Sequence, residues 1–251
     1  MKKFFIIVLC VVLAAVMLTG CVSVSFSPNR AAVSGNISGR GNSETFTFNV
    51  SEINEIRVEM LCNIYFYSAP SDTVTFQVQP NLMDYIVVEE SGGVLTVRST
   101  RNINFQGTAN TPVLTVSTPS LSRMYHAGAG KFTTFDPISG DSFSLYIAGA
   151  ANGNVDLDVR NLNVTLAGAG DFELSGAAEN ATIDVMGAGR LNALELDTST
   201  TSISLAGAGT VRISCSDSLN VSAAGVGTVE YRGSPTLDIT RGGLVSIRQV
   251  D

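Results

Sequence analysis

The chain has 251 residues, 15 basic and 22 acidic, with one histidine, no tryptophan and 45% apolar residues. That is enough apolar material for one sizeable core. The formal charge of −7 argues against nucleic acid as a partner and against adhesion to anionic lipid by charge alone.

Lys2 and Lys3 precede an apolar run, residues 4–17, that is short for a membrane span. Leu18-Thr19-Gly20-Cys21 has the form of a bacterial lipoprotein lipobox, which implies cleavage before Cys21 and a diacylglycerol on its thiol. An ordinary cleaved signal or an uncleaved anchor is the alternative. Residues 1–20 therefore read as a signal peptide, and the rest is expected to be extracytoplasmic and lipid-anchored to a bacterial membrane. Without Lys2 and Lys3 the mature chain holds 13 basic against 22 acidic residues, a net charge of −9, and Lys131 is its only lysine. Residues 21–45 read as the lipidated cysteine and a flexible tether rich in Ser, Gly and Asn, with a reach of roughly 25–30 Å. Cys10 leaves with the signal, so Cys62 and Cys215 remain, far apart in the chain and expected to be buried free thiols.

β patterning begins at Phe46, Phe48 and Val50, and continues at Ile56, Val58 and Met60. Residues 64–67 and 74–78 follow, with turn chemistry between them at 68–72. Pro80-Asn81-Leu82-Met83-Asp84 reads as a turn or one helical turn. Val87 and Val88 lead through Ser91-Gly92-Gly93 into Val94-Leu95-Thr96-Val97, the pattern of a local hairpin. Residues 113–116 form a further strand. Residues 46–251 read as one domain, although its first third lacks the mark carried by the remainder.

That mark is Gly-Ala-Gly. Its first glycine falls at Gly128, Gly149, Gly168, Gly187, Gly207, Gly225 and Gly243, a period of 18 to 21 residues. The second falls at Gly130, Gly170, Gly189, Gly209 and Gly227; the copy after Gly149 reads as carrying two extra residues, Ala151 and Asn152. Four residues before the first glycine stand Met124, Leu145, Val164, Ile183, Ile203, Val221 and Ile239. Four after it come Phe132, Phe172, Leu191, Val211, Val229 and Ile247, with Val155 once the extra pair is allowed for. Polar residues fill the odd positions between them, so strands with one buried face are expected. Equivalent residues recur in the same order, so like stacks on like: an all-β, parallel β-solenoid with coils about 4.8 Å apart. The glycines are expected where backbones approach too closely for a Cβ. His126 and Arg241, both in an otherwise apolar column, are expected in the two end coils.

The ordered set 53–58, Pro80-Asn81-Leu82-Met83-Asp84-Tyr85-Ile86, Gly92-Gly93-Val94-Leu95-Thr96-Val97, the Gly-x-Gly coils and Tyr231-Arg232-Gly233-Ser234-Pro235 resembles a bacterial family of secreted proteins and lipoproteins, the "putative autotransporter adhesin, head GIN domain". The resemblance spans about residues 46–251. It implies a right-handed parallel β-helix and brings no catalytic residues. The chain departs from the family at Gly242-Gly243-Leu244-Val245, where Val245 replaces the second motif glycine.

The residues themselves bear on several chemistries. His126 lacks a nucleophile and a carboxylate at any useful spacing, and reads as a packed histidine. Gly128-Ala129-Gly130-Lys131 lacks the spacing and following helix of a phosphate loop. A calcium ladder needs a carboxylate at one slot of every coil, whereas the slot reads Lys131, Asn154, Asp171, Arg190, Thr210, Thr228 and Ser246. No metal and no cofactor is expected. Tyr125 and Tyr146 share an outward column on adjacent coils, with Lys131 close in sequence, and form a candidate ligand patch. A second candidate surface is the small apolar strip flanking the glycines, including Ala167, Ala169, Ala206 and Ala208. It faces outward if the strand runs straight through the motif, and inward if a corner reverses the parity. The expected function is a non-enzymatic envelope binding or adhesive lipoprotein. The alternatives are a carbohydrate-active β-helix enzyme and a structural or envelope-stress component. The expected partners are the membrane through the lipid, an envelope polymer, surface glycan or protein, and a second copy of the chain.

Overall fold

The computed structural model describes residues 37–101, 103 and 111–251. The signal, Cys21 and most of the tether lie outside the described residues. The elements are β1 (Glu44–Phe48), β2 (Glu55–Glu59), β3 (Asn63–Ser68), β4 (Thr73–Val78), a one-turn helix α1 (Pro80–Met83), β5 (Ile86–Ser91), β6 (Val94–Ser99) and β7 (Val113–Thr118). The repeats follow as β8 (Arg123–His126), β9 (Ala129–Thr134), β10 (Ile138–Ile147), β11 (Ala150–Leu166), β12 (Ala169–Val185), β13 (Ala188–Leu205), β14 (Ala208–Ala223), β15 (Val226–Arg232), β16 (Thr236–Arg241) and β17 (Leu244–Gln249).

The coils wind into a parallel β-solenoid, and the expected like-on-like stacking holds residue by residue. Met124 pairs with Leu145, Leu145 with Val164, Val164 with Ile183, and Ile183 with Ile203. Each glycine corner separates two faces of a coil. The strand segment before the corner builds the first face, and the segment after it builds the second. Both faces turn alternate side chains inward, where Phe132, Phe143, Leu145, Ile183, Leu191 and Val211 are almost fully buried.

The first third of the chain joins the same stack, out of sequence order. β2 pairs in parallel with both β6 and β8, and β3 with both β7 and β9. The coil laid down by β2 and β3 is thus enclosed between one made later by β6 and β7 and the first glycine-marked coil. Antiparallel strands close the outer side: β5 pairs with β6, β4 with β7, and β1 with β4. The hairpin read from Ser91-Gly92-Gly93 is the β5–β6 pair. Arg40, Gly41 and Ser38 hydrogen-bond to Asn81 and Gln79 around α1, which ties the entering chain to this cap.

This arrangement corrects the placement of His126. Val58 lies beneath it and Val97 beneath Val58, so His126 is interior to its column rather than terminal. Sequence order misled because the coils below His126 are β2 and β6, which do not carry the glycine mark. Arg241 does stand in the last strand pair, and it is exposed.

A second correction concerns the two extra residues. Ala151 pairs with Gly130 and Asn152 with Lys131, so neither is inserted. Gly153 takes the inward slot, opposite Phe132 on one side and Phe172 on the other. A Cβ there would press on the Phe172 ring and the Phe132 carbonyl, so the bare glycine makes room for two large neighbours. The ladder slot expected at Asn154 therefore belongs to Asn152, and Val155 pairs with Leu174. The surplus residues lie one coil earlier. Register passes from Thr133 opposite Asn154 to Ile138 opposite Leu157, so Phe135-Asp136-Pro137 bulges from the coil. Cys62 and Cys215 are buried and unpaired, and burial pushes the Cys62 thiol up to about 12.

Candidate functional site

On the first face, one outward column runs Arg57, Tyr125, Tyr146, Thr165, Asp184, Ser204, Ser222 and Thr240. The structure brings Tyr125 and Tyr146 together: their rings stack with centroids 5.3 Å apart and planes 10° from parallel. Arg57 completes the stack, its guanidinium 4.7 Å from the Tyr125 centroid. Glu55 holds Arg57 at 3.0 Å and Arg123 at 3.2 Å, which fixes the guanidinium in place. Lys131 does not belong to this patch. It is exposed on β9, across the corner, and its backbone N–H donates to Asn63 Oδ1.

The corner itself turns the small residues outward. Ala148, Ala150, Ala169, Ala188, Ala206, Ala208 and Ala224 are exposed, while Ala127, Ala129 and Ala167 are half-buried. Met186, Val226 and Leu244 continue the strip as exposed large apolar side chains, Leu244 at 78%. The parity is not reversed, because the glycines let the chain bend without rotating its neighbours inward.

The second face carries a column that runs Tyr65, Thr133, Asn154, Glu173, Asn192, Arg212, Glu230 and Arg248. Its far end is ion-paired: Arg212 Nε donates to Glu230 at 2.6 Å, and Arg248 pairs with the other Glu230 oxygen. The hydrogen bonds from Arg248 and then Arg212 hold the Glu230 carboxyl below the usual carboxylate range. Its near end is aromatic. Phe135, raised by the bulge, stacks on Tyr67 at 4.7 Å and 3°, and meets Tyr65 edge-on at 5.6 Å. Asp136 Oδ2 accepts from the Ser68 N–H and pins the bulge. Sequence reasoning missed this cluster. The available signal was the 21-residue gap between Gly128 and Gly149, the longest in the repeat, with an aromatic and a proline inside it.

His126 is fully buried, with Nε2 3.3 Å from the Met60 carbonyl. Burial lowers its pKa, and the Met60 carbonyl partly offsets that. A residue sealed in this way meets no external substrate. Among the described residues, no group of three or more His, Cys, Asp or Glu is placed to hold a metal ion.

The family model described as "Putative auto-transporter adhesin, head GIN domain" matches residues 52–235. The chain belongs to this family. A solved structure described as a "putative adhesin" from Bacteroides fragilis matches with a TM-score of 0.80 and 22% identity, covering 86% of this chain and all of that one. A protein from Parabacteroides distasonis described as a "putative lipid binding protein" matches with a TM-score of 0.66 and 22% identity over the same shares. A further structure described as a "putative adhesin", from Parabacteroides merdae, matches at 0.64 and 19%, covering 86% of this chain and 99% of that one. At these identities the likeness establishes the fold alone. No curated protein matches the chain. No helix among the described residues is long and apolar enough to cross a membrane.

Proposed function

We propose that this head GIN protein is a non-enzymatic, extracytoplasmic lipoprotein, anchored through Cys21, whose solenoid presents its outward faces to a surface or envelope partner in adhesion. One observation carries the reading: ordered aromatic and apolar groups stand outside a core that is already filled. The Arg57–Tyr125–Tyr146 stack, the Phe135 cluster and the alanine strip add nothing to the interior, and apolar surface left in water tends to mark contact sites. The family description and the adhesin neighbours support the same reading.

The test uses the full chain and its Cys21→Ser variant, expressed in a bacterial host. The parent should fractionate with membranes, and the variant should be released or left unprocessed. The purified parent should then retain envelope polymers or surface glycans without shortening them. Partitioning of the variant as the parent does would remove the anchor, and release of cleavage products would replace adhesion by catalysis.

A further inference from the structure

We propose that the second face carries a groove for a neutral or amino-substituted hexose polymer, lying along the rod axis across β3, β9, β11, β12 and β13. The inference rests on the binding role proposed above and names the ligand class of one face.

The groove is shallow, about 260 Å³, and its lining includes Thr134, Asn154, Asp156, Glu173 and Asn192. Thr134 directly precedes Phe135, so the aromatic cluster stands at the groove's end. Phe135 is 55% exposed on a bulge that the coil does not need for winding, and Asp136 pins that bulge to Ser68. A flat aromatic face held in water beside amides and carboxylates suits a pyranose, whose C–H face is apolar and whose rim is hydroxyl-bearing.

The hydrogen-bonding capacity of the column is divided in a telling way. Arg212, Glu230 and Arg248 satisfy one another at its far end. On the four rungs nearest the aromatics, Thr133, Asn154, Glu173 and Asn192 make no side-chain hydrogen bond or ion pair among the described residues. Thr133 Oγ1 and Asn192 Oδ1 are buried without a partner. Such groups are costly to leave unmade, and a small rotation could bring Asn192 to an external donor. The rungs recur about every 4.8 Å, so Tyr65 to Asn192 spans roughly 19 Å, with a spacing comparable to the length of one sugar ring. A linear polymer along the axis can thus meet one rung per residue. Asp156, Glu173 and Glu195 make the groove acidic, which disfavours uronic-acid or sulfated chains.

Calorimetric titration of the detergent-solubilised full chain would use cellohexaose, chitohexaose and mannohexaose, their disaccharides, and polygalacturonate as the acidic control. At least one neutral or amino-sugar hexamer should bind, and more tightly than its dimer. Phe135→Ala should weaken it at least tenfold and Glu173→Gln at least fivefold. Thr182→Ala, exposed on the other face, should stay within twofold, and all variants should keep the parental unfolding midpoint. The proposal is overturned if no hexamer binds at millimolar concentration, if polygalacturonate binds more tightly, or if Phe135→Ala and Glu173→Gln both bind as the parent does. Should the parent still retain envelope polymers in any of those outcomes, the adhesive reading stands and only the groove falls.

Discussion

The Cα of Gly168 lies over the carbonyl oxygen of Gly149, so near that a Cβ on Gly168 would overlap that oxygen. The same oxygen accepts the Ala169 N–H at 3.0 Å, which holds the two coils at this separation. The relation repeats up the corner, Gly187 over Gly168 and Gly207 over Gly187. The glycine requirement is therefore one of approach between neighbouring coils, and no positive φ is involved at these three positions.

Gly168→Val should accordingly lose about 2–4 kcal/mol of stability, because backbone rather than a movable side chain opposes the new atoms. Gly242→Ala is the matched control: nothing stands within 4 Å of its Cβ position, and its cost should stay within about 0.5 kcal/mol. Urea midpoints of the two variants check this. Equal midpoints would mean that the corner can open without cost.

Gly153→Ala tests the large–small–large packing of Phe132, Gly153 and Phe172. Overfilling should cost about 1–3 kcal/mol. A Phe172→Leu change made with it should recover part of that loss, since the new methyl then has space. Failure of the second change to restore any stability would argue against direct contact.

His126 gives a pH dependence with a defined sign. Its pKa is lowered in the folded protein from 6.5, so the unfolded chain takes up the proton first. Stability is full above pH 6.5 and falls as the pH drops from 6.5 toward the folded value, by at most about 1.4 kcal/mol per pH unit. His126→Leu should flatten this part of the profile. Glu230, also lowered, acts in a separate window, with its contribution lost as the pH falls below 4.5 toward its folded value. An unchanged slope between pH 6.5 and 5 in His126→Leu would assign the effect elsewhere.

The alanine strip predicts a contact between copies. Ala169→Arg places a charge on an exposed residue at the middle of the strip, where it should leave the fold intact. Self-association of the detergent-solubilised full chain should decrease, as read by sedimentation velocity. Identical sedimentation of parent and variant would remove the strip as a homotypic interface.

The winding of the chain was legible in its residues. A period of 18 to 21 with alternating columns at Met124, Leu145, Val164 and Ile183 admits parallel stacking, because each apolar face needs the next coil to cover it. The outward Tyr125–Tyr146 pair followed from the same parity. What the pattern could not supply was register where the repeat lapses. Gly153 looks like a displaced motif glycine in one dimension, and only the Phe172 ring and the Phe132 carbonyl on the neighbouring coils reveal it as a core position. Likewise β2 and β6 carry no glycine mark, so their place beneath His126 depends on pairing between residues 68 positions apart in one case (Val58 with His126) and 39 in the other (Val58 with Val97). The Phe135–Tyr67 stack and the Arg57 cap on Tyr125 belong to that second kind of information. Local periodicity determines which way a side chain points, whereas long-range pairing decides what stands next to it.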